Sequence, residues 1–492
     1  MKRTYLYIAM LLSYVAGNAQ TVDVDGLNTP IDLNAVDTLF NDGENQNLRL
    51  SYPIGKVKRI TFKKQDAPNF SKADKATNGN ELKRVYFTSQ ANKGLVLETV
   101  EAVKDGNTFS VFIPYLTDFS QLKASFVATG KVWSESVPQK SGVTANSFVN
   151  EVTYKVVSTE GDIQTYKVRV YNSNLPVLTL NAVGEVPLKL WTNAVAATLV
   201  TADHKAVVTF NTQAKAKGSR YSLLNKRSFN LKTESKVDLL GMGKNKRWVL
   251  LSNKQDATML RTHLALAVAR QLEGMAWTPT EEPVELVLGG RHMGTYFLCE
   301  QARVGKDRVN GSSLWSLTTS AEVGEVAFKT NHTNLTCVLE DASDDLTAEQ
   351  VAEISGKVNS FEDALFSNSF ADANKGYRQL IDVNSFVDWV IANEVMKNAD
   401  AASNALFFIT ADGKIAMGPV ADAEDFAGNN AQPAEGFAVV NEGWINRLMQ
   451  DPYFADLVDE RFAEVKAKLK NEVDETLASG RADLEFSNIA NE

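Results

Sequence analysis

The chain has 492 residues, of which 44% are hydrophobic and 23% charged, a composition typical of a globular protein with two or three domains. Its formal net charge of −9 argues against nucleic acid as the main partner. Two cysteines, Cys299 and Cys337, are too few for a disulfide framework, and they predict either a single bridge or two buried thiols.

The first 19 residues have the pattern of a secretory signal peptide. Lys2 and Arg3 precede an apolar stretch at residues 5–16, and the small residues Gly17 and Ala19 follow it. This stretch is too short to span a membrane, and the rest of the chain has no apolar run of about 18 residues. We therefore predict a protein without a transmembrane segment, exported to the periplasm, the cell surface or the extracellular space.

Three regions follow the predicted signal peptide. Residues 20–78, rich in Asp, Asn and Gly, predict a leader or a partial β-module. Residues 79–173 consist of short alternating runs such as "TFSVFIP" and "TYKVRVYN", separated by the turn signals "KDGN" and "TEGD". This pattern is typical of an all-β sandwich, and its simplest function is that of a spacer or adhesion module. Residues 174–492 form the third region.

The third region predicts an α+β domain, because strands come first and helices follow. The runs "KAVVTF", "SFNLK" and "RWVLLS" predict strands, and Gly289-Gly290 predicts a tight hairpin turn. A helix is expected at about 257–272, with Asp256 as its N-cap and Gly274 just past its end. Later helices are expected at about 346–367, 376–381, 384–398 and 453–470.

The stretch "NADAASNALFFITADGKIAMGPVADAED", residues 398–425, predicts a hairpin with Asp412-Gly413 as a two-residue loop. In that register Asn404 lies opposite Ala421, and Ser403 lies opposite Asp422. Directly opposed residues are close neighbours, so Asn404 and Asp422 are expected to converge at the open end of the hairpin.

Asp400, Asn404 and Asp422 together offer two carboxylates and an amide oxygen, which suit a hard cation such as Mg²⁺. Protein kinases use the same order, in which the first Asp faces the substrate hydroxyl and the Asn and last Asp hold metal. The alternative is an ordinary hairpin with solvated polar ends.

A basic segment in this acidic chain points to the same chemistry. Between Lys215 and Arg247 there are ten Lys or Arg residues against two acidic ones. Lys226 and Lys232 fall on one face if "KRSFNLK" is a strand, where one of them can pair with nucleotide phosphates. The alternative is a solvated basic surface.

Glu300-Gln301 ends the strand after the Gly-Gly turn, where a kinase-like lobe would offer groups to adenine.

Four ordered blocks of sequence resemble those of the CotH kinase family, named after spore-coat protein H. They begin at "KRSFNLKTESKVDLLGMGKNKRWVLLSNKQDATMLRTHLALAVARQL" and continue with "VELVLGGRHMGTYFLCEQARVGKDRV", "SFVDWVIANEVMKNADAASNALFF" and "KIAMGPVADAEDF". The resemblance covers about residues 205–470. It implies a secreted, atypical protein-kinase-like fold with a metal–ATP site. The module at 79–173 looks like the immunoglobulin-like domains that often precede such kinases.

The resemblance also assigns residues. Asp400 matches the catalytic-loop Asp of the family, and Asn404 matches a metal-side Asn that follows it. Asp422 matches the first Asp of the family motif Trp-Asp-Phe-Asp. Lys226 and Lys232 match the basic strand, and both remain candidates for the phosphate-binding lysine.

Two stretches depart from the family pattern. The family's Arg-Gly-Asn-Ser stretch appears only as "KGSRYS" at 217–222, and its Trp-Asp-Phe-Asp motif is replaced by Ala421-Asp422-Ala423-Glu424. Loss of the Trp and Phe removes packing that would hold the metal-binding Asp in place. Glu424 stands where the family has its second Asp and is a further metal candidate.

The sequence therefore predicts an exported atypical protein kinase. It would bind ATP with Mg²⁺ or Mn²⁺ and transfer the γ-phosphate to hydroxyls of an exported protein substrate, whose identity the sequence does not reveal. The alternative is a catalytically impaired pseudokinase that serves as a cell-surface binding or scaffold module.

Overall fold

The computed structural model describes residues 79–182, 184–188, 190–217, 226–254, 256–321, 323–398, 401, 405–420, 434–440 and 443–491. Within residues 1–78 it describes only the backbone of six short strands, and at 482, 483 and 485–491 only the backbone of a helix. The chain divides into two compact units, Met1–Tyr171 and Asn172–Glu492. The predicted signal peptide and leader fall almost wholly outside the described residues.

The first unit consists of β-strands. Its first six strands form two small sheets, in the orders β1-β5-β4 and β3-β2-β6. They are β1 (Leu6–Ala9), β2 (Thr21–Val24), β3 (Ile31–Asp32), β4 (Leu39–Asn41), β5 (Asn47–Leu50) and β6 (Ile60–Thr61). The next eleven are β7 (Leu82–Phe87), β8 (Val100–Glu101), β9 (Val103–Asp105), β10 (Thr108–Phe112), β11 (Leu122–Lys123), β12 (Ser125–Ala128), β13 (Lys131–Ser134), β14 (Val137–Pro138), β15 (Ala145–Asn146), β16 (Val152–Val157) and β17 (Ile163–Tyr171).

Strands β7 to β17 build three sheets with the orders β14-β13-β16-β17-β10-β9, β12-β7-β8 and β11-β15. Strand β17 shows why the sequence forms such sheets, because Tyr166, Val168 and Val170 are buried while the residues between them are exposed. The fully buried rings of Phe87 and Phe148 meet edge to face, with centroids 5.2 Å apart. The predicted β-rich character of this region is confirmed, whereas its assignment as immunoglobulin-like stays a prediction.

The second unit begins with a closed seven-stranded barrel, in the order β18-β19-β20-β21-β22-β24-β23. Its strands are β18 (Val177–Leu180), β19 (Val195–Val200), β20 (Val207–Ala216), β21 (Phe229–Asp238), β22 (Lys244–Leu251), β23 (Glu281–Leu288) and β24 (Arg291–Glu300). The barrel closes through parallel pairing of β18 with β23. Gly289 and Gly290 both have positive φ, +58° and +76°, as the predicted tight turn between β23 and β24 requires.

The described residues of the second unit also contain a five-stranded sheet and five α-helices. The sheet has the order β26-β27-β25-β28-β29. Its strands are β25 (Ser313–Thr318), β26 (Ala327–Lys329), β27 (Thr336–Ala342), β28 (Leu406–Ile409) and β29 (Ile415–Met417). The helices are α1 (Arg261–Arg270), α2 (Ala348–Leu365), α3 (Val383–Val395), α4 (Gly443–Leu448) and α5 (Pro452–Asn491), with a 3-10 turn at Tyr377–Gln379.

None of the helices in the described part of the chain combines the length and apolar character of a membrane span. Helix α2 begins at a capping box, in which Thr347 and Gln350 satisfy each other's backbone N–H groups. Cys299 and Cys337 are both buried and form no disulfide, which confirms the second of the two predicted states.

Helix α1 begins later than the sequence predicted. Leu260, not Asp256, occupies the N-cap position, and the helix ends at Arg270. Asp256 nevertheless caps the helix from a distance, because its carboxylate accepts the backbone N–H of Arg261 at 2.8 Å. The prediction of position was wrong because a tight turn at Thr258, bonded to the same carboxylate, precedes the helix.

Gly274 does not end helix α1; it allows a close approach to α3. Its N–H donates to Asp388 Oδ2 at 2.6 Å. A Cβ at this position would lie 2.6 Å from the carbonyl oxygen of Asn384 and 2.8 Å from Asp388 Oδ2.

We expect Gly274→Ala to lower the free energy of unfolding by about 1–3 kcal/mol, since neither neighbouring oxygen can move freely. Gly356→Ala, inside α2 with open space around the new Cβ, is the matched control. It should raise stability by about 0.5–1 kcal/mol because alanine favours a helix interior. Urea denaturation measures both, and an unchanged Gly274→Ala protein would show that the contact is not tight.

Candidate functional site

Four of the predicted site residues lie outside the described residues: Asp400, Asn404, Asp422 and Glu424. Their described neighbours Ala401, Ala405 and Val420 are 2%, 4% and 6% exposed and belong to the main core of the second unit. Within the described residues, no group of three or more His, Cys, Asp or Glu side chains could hold a metal ion. The predicted metal site therefore stays a prediction.

The hairpin between these positions exists, but its register differs from the predicted one. Ile409 pairs with Ile415, and Phe407 pairs with Met417. The loop therefore has three residues, 411–413, and Gly413 has a φ of +83°. The prediction of a two-residue loop was wrong because an Asp-Gly pair also suits a three-residue loop that ends in a left-handed glycine. The correction shifts the pairing of the two strands by one residue.

The end of α3 leads directly into the segment that carries Asp400. Asn393 is buried, and its side-chain oxygen accepts a hydrogen bond from Asn398 Nδ2 at 2.8 Å. The backbone N–H of Asn398 donates to the carbonyl of Asn393, and that of Ala401 donates to the carbonyl of Asn398. Lys397, between them, has a φ of +52°, which is uncommon for a residue other than glycine. The chain thus leaves the helix in a defined turn.

Glu394 connects this turn to a segment about 40 residues further along. Its carboxylate accepts the backbone N–H groups of Ala438 and Val439, at 2.9 Å for the closest oxygen in each case. Lys397 Nζ lies 2.6 Å from Glu394 Oε1 and 2.5 Å from the carbonyl oxygen of Gly436. Sequence analysis missed this group, because no local pattern connects a helix end with a distant loop.

Lys226 and Lys232 do not share a strand, so the condition under which they were expected to lie on one face is not met. Strand β21 begins at Phe229, after Lys226. Lys226 Nζ instead donates to the carbonyl oxygen of Thr295 at 2.5 Å and lies 4.8 Å from the ring centroid of Tyr296. The alternation in "KRSFNLK" was misleading because it begins three residues before the strand does.

Lys232 lies on β21 opposite Arg247 of β22 and Gln213 of β20. Leu231 and Trp248, next to them in sequence, belong to the barrel core, so Lys232 and Arg247 lie on the outer face of the barrel. Burial, and secondly the positive charge of Arg303, lower the pKa of the Arg247 guanidinium below its usual value. The outer face therefore brings two cationic side chains, Lys232 and Arg247, side by side at this point.

Trp191 extends this cationic face, and sequence analysis missed it. Its ring lies 5.4 Å from Lys215 Nζ and 5.3 Å from the Arg247 guanidinium carbon. Both distances are within the range of cation–π attraction. The loop that carries Trp191 is attached to β20, because Ala214 N–H donates to Thr192 Oγ1 at 2.9 Å. The outer cationic face thus comprises Trp191, Lys215, Lys232 and Arg247.

Glu300 belongs to a buried ion pair. Its Oε2 accepts hydrogen bonds from the Thr280 backbone N–H at 3.1 Å and from Thr280 Oγ1 at 2.6 Å. Its Oε1 lies 3.3 Å from Arg308 Nε, and the two side chains are 8% and 2% exposed. Burial lowers the pKa of the Arg308 guanidinium, and the charge of Glu300 opposes that shift. The carboxylate of Glu300 is thus already engaged within the fold.

Gln301 lies beside the outer cationic face. Its Nε2 is 3.5 Å from Asn230 Oδ1, and its backbone carbonyl accepts Arg308 Nη1 at 2.6 Å. Its Oε1 is buried and has no hydrogen-bond donor among the described residues. An unsatisfied buried acceptor is costly, so Gln301 is better placed than Glu300, the other residue predicted to contact adenine, to receive a ligand's donor group.

We expect Glu300→Met to lower the free energy of unfolding by about 3–5 kcal/mol, since it leaves the Arg308 guanidinium buried without a counter-charge. The double variant Glu300→Met/Arg308→Met should recover a large part of that loss. Urea denaturation of the wild type, both single variants and the double variant measures the coupling. Additive losses would show that the two side chains do not form an interacting pair.

Comparison with known proteins identifies the second unit. The model of the CotH kinase protein family matches residues 214–479, more than half of the 492-residue chain. No curated protein matches significantly. Among solved structures, a protein described as a glycoside hydrolase from Bacteroides thetaiotaomicron is similar over 59% of this chain and 89% of its own. Its sequence identity is 12% and its TM-score 0.16, too low to support any conclusion. On this match, which includes Lys215, Lys232, Arg247 and the hairpin, the chain belongs to the CotH kinase protein family.

Proposed function

We propose that the second unit binds ATP with Mg²⁺ or Mn²⁺ and transfers the γ-phosphate to a hydroxyl of an exported protein. The observation that carries this proposal is the family match over residues 214–479. Asp400 would orient or deprotonate the hydroxyl, and Asn404 and Asp422, with Glu424 nearby in sequence, would hold the metal. These roles follow the order of residues that protein kinases use.

The outer cationic face supports phosphate binding, and it favours Lys232 over Lys226. Lys226 Nζ is held by the Thr295 carbonyl and the Tyr296 ring. Lys232 lies instead beside Arg247, on the same face as Asn230 and Gln301. Triphosphate oxygens are strong acceptors, and two adjacent cations on a sheet can neutralise their charge. Gln301 would then contact the base.

The proposed substrate is exported because the chain itself carries the predicted signal peptide at 1–19. The β-rich region at 79–173 would act as an immunoglobulin-like spacer between the kinase-like unit and its surroundings.

Mass spectrometry of the secreted protein should find a new N-terminus near Gln20.

A second function is favoured by one specific feature. Ala421 and Ala423 replace the Trp and Phe of the family motif, which removes packing around the metal-binding Asp. A pseudokinase that binds a partner at the cell surface would tolerate this loss.

Thermal shift with ATP and Mg²⁺ or Mn²⁺, followed by transfer of radiolabelled γ-phosphate to a protein acceptor, distinguishes the two functions. We expect a metal-dependent rise in Tm and label on the acceptor, because binding to the folded state stabilises it. A rise in Tm without transfer would support the pseudokinase. Absence of both would contradict the nucleotide-binding proposal itself.

We further expect Asp422→Asn to abolish metal-dependent ATP binding with a change in unfolding free energy within about 0.5 kcal/mol. The reason is that Mg²⁺ is usually held by only one or two carboxylates. Isothermal titration with Mg-ATP measures the loss.

Asp412→Asn is the matched control in the same hairpin. Asp412 Oδ1 accepts a hydrogen bond from Thr410 Oγ1 at 2.5 Å, which an Asn oxygen can also do. The Asp412→Asn variant should bind ATP as the wild type does. Equal effects of Asp422→Asn and Asp412→Asn on ATP binding would contradict a metal-binding role for Asp422 and indicate that the hairpin is purely structural. Asp422→Asn should also be combined with Glu424→Gln, so that a substitute ligand does not hide the effect.

A further inference from the structure

The connection between Glu394, Lys397 and residues 436–439 is more than an ordinary surface ion pair. Glu394 and Lys397 have side chains that are only 16% and 18% exposed. The Glu394 carboxylate accepts two backbone N–H groups, and Ala438 N–H is shared between both of its oxygens. Lys397 in turn donates to the carboxylate and to the Gly436 carbonyl. Two charged side chains thus hold the same short backbone segment.

This clamp, formed by Glu394, Lys397 and residues 436–439, lies next to the proposed catalytic residues. Lys397 is three residues before Asp400, so the clamp lies within about 11 Å of it along the chain. Val420, two residues before Asp422, is buried in the main core of the second unit. Gly436 of the clamp follows Glu424 by 12 residues in the sequence.

The backbone conformation of Lys397 is a second observation that distinguishes this turn from an ordinary helix end. Its φ of +52° lies in the left-handed region, which costs energy for a residue other than glycine. The conformation persists because the Asn398 side chain and backbone are both bonded to Asn393. The turn that leads to Asp400 is therefore held from the helix on one side and from residues 436–439 on the other.

We propose that Glu394 and Lys397 are positioning residues for phosphoryl transfer. They hold the segment with Asp400 in a constant relation to the segment that follows Asp422 and Glu424. This inference rests on the proposed function. Neither residue touches the reacting atoms; each acts through the backbone that it holds. Because a displacement of about 1 Å in a catalytic group can cost about 100-fold in rate, loss of the clamp should appear in kcat.

Glu394→Gln tests the inference. Gln keeps the size of the side chain but removes the charge that pairs with Lys397 and offers an N–H group where Val439 needs an acceptor. We expect kcat for phosphoryl transfer to fall at least about 10-fold, with KM for Mg-ATP changed less than about 3-fold. Hydrogen–deuterium exchange of peptides covering 398–404 and 434–440 should become faster.

Glu362→Gln is the matched control. Glu362 is also a buried carboxylate that accepts a backbone N–H, that of His332, at 2.6 Å, together with Trp444 Nε1 at 2.7 Å. It should lower Tm but leave kcat and the exchange of 398–404 unchanged at a temperature where the protein is folded. Lys397→Arg, which keeps the positive charge, should retain more activity than Lys397→Met.

The outcomes separate the two proposals. Absence of transfer by the wild type, with any acceptor, overturns the proposed kinase activity. Unchanged exchange of 398–404 in Glu394→Gln overturns the positioning role, whatever the activity. An equal loss of kcat in Glu394→Gln and Glu362→Gln also overturns it, because it would reduce the clamp to a general contribution to stability.

Discussion

The second unit depends on two strands, β22 and β24, that are buried on both faces. Trp248 and Leu250 point into the barrel, whereas Val249 and Leu251 pack in the larger core with the helices. The same division holds on β24, where Leu298 points inward and Phe297 outward. Two-sided burial joins the barrel to the helical part without a flexible linker. Arg247 of the outer cationic face lies on β22 directly before Trp248, so it is attached to a strand that is packed on both sides.

Local patterns predicted many elements of the fold. Barrel strands β20 to β24, the Gly289-Gly290 turn and the approximate extents of α2 and α3 follow from alternation, turn residues and helix caps, which act within a few residues. Closure of the barrel was not predictable in this way, because β18 and β23 pair in parallel about 100 residues apart. The Asp412-Gly413 register was missed for a different reason, since two loop lengths accept the same two residues.

The candidate site shows the same limit. Sequence order and family resemblance identify Asp400, Asn404 and Asp422, which lie within a 23-residue stretch. They do not identify partners that are distant in the sequence. Trp191 contacts Arg247, Glu300 contacts Thr280, and Glu394 contacts Ala438. The partners in these pairs are 20 to 56 residues apart in the sequence. Such partners have no pattern of their own in the sequence, because only the tertiary structure brings them together.

An experimental structure with Mn²⁺ and a non-hydrolysable ATP analogue tests the central claim most directly. Manganese can be located by its anomalous scattering. The account predicts a manganese ion bound by Asn404 and Asp422, with the phosphates directed toward Lys232 and Arg247 and the base beside Gln301. A nucleotide bound elsewhere, or a manganese ion that neither Asn404 nor Asp422 touches, would contradict it.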